Sequence, residues 1–150
     1  MFDEKKVDRV VEMFVFDIFI AILKIKDTAK DFENVQDLLY SYRDWDSVIR
    51  EFEIIGEASK YLIKSNLLDK EYRVVVDLRN YIIHKYFGIS PERIWDIVYG
   101  GDLDELQNII LRVIDNIDRD LKIELIDSFV EDSKYLDFVV KELQALKGLK

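Results

Sequence analysis

Apolar residues recur along this chain at three- and four-residue steps from one end to the other, the period of an α-helix lying on a core. Val7, Val10, Val11, Phe14, Ile18, Ile22 and Ile25 mark a first helix, and Phe16, Phe19, Ile20 and Leu23 make its second half apolar on nearly every side. Such a helix needs cover on more than one face, from the rest of the bundle or from a second subunit, and the second subunit is the preferred cover. Asp31 is placed as the cap of a short second helix carrying Phe32, Val35, Leu38, Leu39 and Tyr42, with Arg43 to Asp46 as the turn behind it. A third stripe runs through Trp45, Val48, Ile49, Phe52, Ile55, Gly56, Ser59, Leu62 and Ile63, narrowing at Gly56 and Ser59.

Asn66 to Asp69 read as the next break, after which Val74, Val75, Leu78 and Ile82, with Tyr81 as an optional member, carry a fourth helix toward Gly88. The β-branched run Val74 to Val76 is assigned to the helix because helical periodicity flanks it on both sides. Ser90-Pro91 is a cap followed by the residue favoured at the first helical position, which starts a fifth helix through Ile94, Trp95 and Val98 to Gly100-Gly101. Asp102 and Glu105 suggest a capping box for the next stretch. The period then continues through Leu103, Leu106, Ile110, Val113, Ile114, Ile117 and Leu121 almost to the end. The expected fold is all-α, a single up-and-down bundle of four or five helices over about residues 10–117 with a helical extension over about 118–150.

Composition narrows the chemistry. At 150 residues, with 49% hydrophobic residues, one Pro and five Gly, the chain can bury a core without staples. It has no cysteine and one histidine, His84, which excludes disulfides, thiol nucleophiles and multi-histidine metal sites, the Glu-x-x-His pairs of di-iron bundles among them. Neither a P-loop nor a dinucleotide fingerprint is present. The run Met13 to Ile25 is broken by Asp17 and Lys24 and is shorter than the ~20 residues of a membrane span. The acidic residues before it do not suit a secretory leader, so a cytoplasmic protein is expected.

The net charge of −9 argues against a protein that coats nucleic acid. Residues 70–93 nevertheless hold five basic against three acidic residues, leaving the other 126 at −11. Glu53 and Glu57, one turn apart, could share a cation or a proton, but Arg50 and Lys60 stand where they would pair with them.

The basic stretch contains Leu78-Arg79-Asn80-Tyr81-Ile82-Ile83-His84-Lys85-Tyr86-Phe87-Gly88. A lone histidine near a helix end is most often a cap or a packed ring; here it stands five residues after an arginine and two before a tyrosine. RNA carries its own nucleophile, the 2′-OH, so cleavage needs an acid or base of near-neutral pKa and a fixed cation for the charge that develops on phosphorus. His84 can serve as the first and Arg79 as the second. Asn80 and Lys85 can orient or contact the RNA, and Tyr86 offers a ring for stacking and a hydroxyl. On a continuous helix Arg79 and His84 point about 140° apart, while Arg79 and Tyr86 agree to about 20°. Either the helix opens near His84 or a second copy completes the site.

Arg79-x4-His84-x-Tyr86 resembles the signature of the HepT toxins, a branch of the HEPN superfamily. Ile54-Ile55-Gly56-Glu57-Ala58 resembles that family's third-helix segment, and Tyr86-Phe87-Gly88 followed by Ile94-Trp95-Asp96-Ile97-Val98 its stretch after the histidine. The likeness covers about residues 10–117. It implies a HEPN-like bundle, a homodimer with both arginines and histidines in one cleft, and RNA cleavage without metal or cofactor. It also implies a partner, an MntA-type minimal nucleotidyltransferase antitoxin that transfers AMP from ATP to Tyr86. The tail departs from the family: beyond about residue 117 the chain carries some thirty residues that the usual member lacks, and from Asp115 onward nine acidic stand against six basic residues. Two alternatives stand beside the enzyme. One is a non-catalytic HEPN module that docks a nucleotidyltransferase or a nucleotide, and the other is a structural bundle with a coincidental motif.

Overall fold

The periodicity resolves into eight helices over the residues that the computed structural model describes, 10–83 and 90–148: α1 (Glu12–Ala29), α2 (Val35–Tyr40), α3 (Tyr42–Lys64), α4 (Arg73–Ile83), α5 (Pro91–Tyr99), α6 (Asp102–Asp115), α7 (Arg119–Asp132) and α8 (Asp137–Ala145). There is no strand among the described residues, and the architecture is the all-helical bundle that the pattern predicts. None of these helices is long and apolar enough to cross a membrane. Val7, placed in the first helix, and Gly88, placed at the end of the fourth, lie outside the described residues.

α1 is the central rod. Val15, Phe16, Ile18, Phe19, Ala21 and Ile22 are all buried, and consecutive buried positions on a helix point in every direction around its axis. α3 makes the most extensive contact with it, and α6, α5 and α8 also pack against it. The preference for a second subunit as the cover of α1 is therefore corrected: the chain's own bundle supplies it, mainly through α3 and α6, with α5 and the extension completing it. Phe129 of α7 stacks on Phe16 with ring centroids 5.3 Å apart, and one continuous apolar cluster runs from Val15 to Leu143. Lys26 ties α1 to α6 through Asp104 and through Gln107 Oε1 at 2.6 Å. Gly56 and Ser59, the expected waist of α3, are both buried.

Several boundaries differ from the expected ones, each because a neighbouring polar side chain or turn competes better for the free amides of a helix start. α2 is capped by Asn34, whose Oδ1 accepts from Asp37 N–H at 2.9 Å, and not by Asp31. Arg43 to Asp46 are the first turn of α3 and not a loop. Ser41 Oγ donates to Asp44 Oδ2 at 2.6 Å while the Ser41 carbonyl accepts from Trp45 N–H, so a single residue separates the two helices. Asp102 is the first residue of α6, which rules out the capping box. The position before it is Gly101, at φ 107°. Asp102, Asp104 and Glu105 favour the helix start through its dipole. A Cβ on the preceding Gly100 would collide with the Asp96 carbonyl oxygen, so this corner requires both glycines. The tail, read as one continuing period, is a pair of helices broken at Ser133 to Leu136 and capped at its start by Asp118.

Candidate active site

The site is built on α4. At the end of α3 the chain leaves through Asn66 in the left-handed region, φ 67°, with Leu67 N–H bonded to Leu62 O at 2.9 Å and Asn66 N–H to Ile63 O at 3.1 Å. This pair of bonds closes a helix and reverses its path. α4 then returns against α3 and α6, with Val74, Val75 and Leu78 buried. The β-branched triplet is helical because that burial outweighs its propensity.

With those three residues facing inward, Arg79 falls at the edge of the buried face and is half-buried, and Asn80 is exposed. The Arg79 Nε–H is enclosed and has no hydrogen-bond acceptor among the described residues. Enclosed donors nearly always have a partner, and a guanidinium N–H is a strong donor to an anionic oxygen. His84, Lys85 and Tyr86 lie outside the described residues. The structure thus places two of the five expected site residues, on adjacent positions of one helix.

The flanks of residues 84–89 are tied to each other. The Tyr81 hydroxyl accepts from Ser90 N–H at 2.7 Å and is 3.4 Å from the Ser90 carbonyl oxygen, to which it donates. The Arg93 guanidinium lies over the Tyr81 ring, 5.9 Å from its centroid, close enough for a cation–π attraction. Ser90 in turn caps α5 as expected, its Oγ accepting from Arg93 N–H at 3.3 Å with Pro91 behind it. α5 is anchored by buried Ile94, Ile97 and Val98 and by Tyr99, whose hydroxyl donates to the Ala29 carbonyl at 2.6 Å and closes the end of α1. Burial raises the Tyr99 pKa, so the phenol stays a donor at neutral pH. The link from Tyr81 to Ser90 was missed in the sequence, where Tyr81 counted only as an optional core residue.

Lys60 pairs with Glu57 at 3.1 Å, the ordinary ion pair expected at that position. Glu51, not singled out from the sequence, is buried on α3; burial raises its pKa, against the opposing charges of Lys24 and Arg50.

Fold and segment together define a helical bundle of the HEPN type, with a cation set into the edge of its fourth helix. Residues 18–113 match the family described as HepT-like, Ribonuclease HepT-like, and the chain belongs to that family. Among curated relatives, all from Methanocaldococcus jannaschii, "Putative RNase MJ1380" is 35% identical over 60% of this chain and 84% of its own length. "Putative RNase MJ0127" is 36% identical over 67% of this chain and 87% of its own. "Gamma-glutamylcyclotransferase and putative RNase MJ0434" is 29% identical over 93% of this chain, which spans 59% of that protein's length. No solved structure matches. The family match ends inside α6, so α7 and α8 lie beyond it.

Proposed function

We propose that this protein is a metal-independent endoribonuclease, the toxin of a toxin–antitoxin pair, working as a homodimer and silenced by AMP transfer to Tyr86 from an MntA-type nucleotidyltransferase. Membership of a ribonuclease family supports RNA as the substrate. The observation that carries the mechanism is Arg79, an enclosed guanidinium N–H without an acceptor among the described residues, on the helix that leads to the chain's one histidine.

In this reading the ribose 2′-OH attacks the adjacent phosphorus, the P–O5′ bond breaks, and the products carry a 2′,3′-cyclic phosphate and a 5′-OH. Arg79 holds the negative charge of the phosphorane-like transition state, and His84 moves a proton, as the base for the 2′-OH or, as imidazolium, the acid for the leaving oxygen. Asn80 and Lys85 contact the flanking RNA. The ribose supplies the nucleophile, so the chemistry requires no metal-bound water. Arg79 and His84 point about 140° apart on a continuous helix, so a two-fold copy would supply the complementary group. With α1 covered inside the chain, the dimer rests on that angular argument. Silencing follows from the same geometry: Tyr86 Oη would attack the α-phosphorus of ATP, releasing pyrophosphate. The resulting phosphodiester would set a negative charge beside Arg79, where RNA must bind.

The test is cleavage of labelled RNA by wild type, Arg79→Ala and His84→Ala, with and without EDTA, each preparation sized by light scattering. Loss of cleavage in both variants with unchanged helical content, insensitivity to EDTA and a dimer mass are expected. Cleavage that stops with EDTA and survives His84→Ala would overturn the mechanism. Tight RNA or nucleotide binding without turnover by wild type would favour the docking-module alternative.

A further inference from the structure

At the opposite end of α4 from the His84 segment, the turn between α3 and α4 and the last turn of α6 enclose an open groove of about 530 Å³. We propose that this groove is a second substrate subsite, which holds the phosphodiester backbone of single-stranded RNA upstream or downstream of the bond at Arg79; it rests on the ribonuclease reading.

The groove exists because the left-handed Asn66 swings the chain away from α3 before Leu68 buries and α4 begins. Its cations are Lys70 and Arg112, both exposed, and neither forms an ion pair among the described residues. On a chain of net charge −9, a lining with two cations is a better seat for a phosphate than the average surface, although Glu12 and Asp118 line the adjoining pocket. Asp69 also lines the groove, its Oδ1 accepting from the Glu71 N–H at 2.9 Å, so two cations stand against one carboxylate. Asn66 and Asn116 add amides; Asn116 Nδ2 donates to the Arg112 carbonyl at 3.1 Å, which leaves its oxygen to accept from a base or ribose. Tyr72 is 38% exposed. Its ring is a platform on which an unpaired base can stack.

Register ties the groove to the reaction. The Tyr72 carbonyl accepts from Val75 and Val76 N–H, so Tyr72 stands at the start of α4, and Arg79 follows seven residues later. Seven residues bring the two onto one edge of the helix within about 20°, separated by about 10 Å along the axis. An RNA strand lying along that edge would meet Arg79 and then the groove within a few nucleotides. Backbone contacts of this kind position a substrate without reading its sequence.

The experiment uses the full chain and a ten-nucleotide single-stranded RNA methylated at every 2′-oxygen, which binds but cannot be cleaved. For the double variant Lys70→Ala/Arg112→Ala, fluorescence anisotropy should show affinity at low salt reduced about tenfold or more. The slope of log K against log salt should shrink by about 1.4, at roughly 0.7 for each phosphate that is no longer neutralised. With cleavable RNA, the ten-mer should show a raised KM at unchanged kcat, and a dinucleotide spanning only the scissile bond should be cut as by wild type. Unchanged slope and unchanged KM overturn the subsite while leaving the nuclease reading intact. A wild type that cleaves nothing, yet binds the methylated RNA with a slope that the double variant loses, overturns the nuclease reading and keeps the groove as an RNA site. Displacement of the probe by oligoglutamate as effectively as by RNA would overturn the assignment in favour of an acidic protein partner.

Discussion

Tyr81→Phe removes one oxygen and leaves the ring, and with it the Arg93 stacking, in place. The oxygen accepts a 2.7 Å hydrogen bond from Ser90 N–H and makes a second, longer one of 3.4 Å to the Ser90 carbonyl. Both are exposed, so water can replace them, and the cost to folding is that of one ordinary hydrogen bond, about 1 kcal/mol. For a chain of this length that lowers Tm by about 2–4 °C and leaves the protein folded at 25 °C. The catalytic cost should be larger. This hydroxyl joins α4 to the first residue before α5, across the segment that carries His84 and Tyr86, and a displacement of about 1 Å in a reacting group can cost about 100-fold in rate. A fall in kcat of about tenfold or more, at nearly constant KM for a short RNA, is expected from initial rates alongside a thermal melt. A variant that melts lower but retains full kcat would show that the bond stabilises the fold and does not position the catalytic segment.

Phe129→Ala should cost about 3–5 kcal/mol in urea unfolding, because the ring is buried against Phe16. A loss under about 1 kcal/mol would mark α7 and α8 as a loose appendage. Glu51→Gln should stabilise the protein at pH 7 and have no effect well below pH 4.5. The folded-state pKa of Glu51 is raised above that usual value, so its contribution is present in acid and is lost as pH rises through the folded pKa. Melts that show no pH-dependent difference between Glu51→Gln and wild type would remove that carboxyl from the account. Tyr86→Phe should keep most nuclease activity, gain no AMP by mass spectrometry and stay toxic in cells that express the nucleotidyltransferase. Rescue of that variant by a catalytically dead nucleotidyltransferase would mean that complex formation neutralises the toxin.

The one-dimensional pattern determined those features that depend on a few neighbouring residues. Helical periodicity located every helix from α1 to α6 and overrode the strand propensity of Val74 to Val76; the Asp118 cap of α7 was not singled out. Ser90-Pro91 announced α5 because a cap and a fixed φ act within one turn. Arg79 was legible as a candidate because the motif lies on one stretch of chain, where helical spacing translates directly into angle. Local rules failed where two nearby groups compete for the same helix start. Asn34 displaced Asp31, Ser41 with Asp44 displaced a loop, and Gly101 displaced Asp102, since which cap wins depends on the direction the chain must take afterwards.

Tertiary structure alone decided the long-range partners. Whether α7 and α8 or another molecule covers α1 turns on packing between residues 16 and 129, and an apolar stripe records that it must be buried without recording by what. The Tyr81–Ser90 tie joins residues at the ends of two helices whose relative placement is set by the core beneath them. The groove of Lys70 and Arg112 arises from a left-handed turn that meets a helix some forty residues further on. Periodicity measures each helix against its own axis, so it contains no term for the distance between two axes, and sites made between helices are absent from it until the bundle closes.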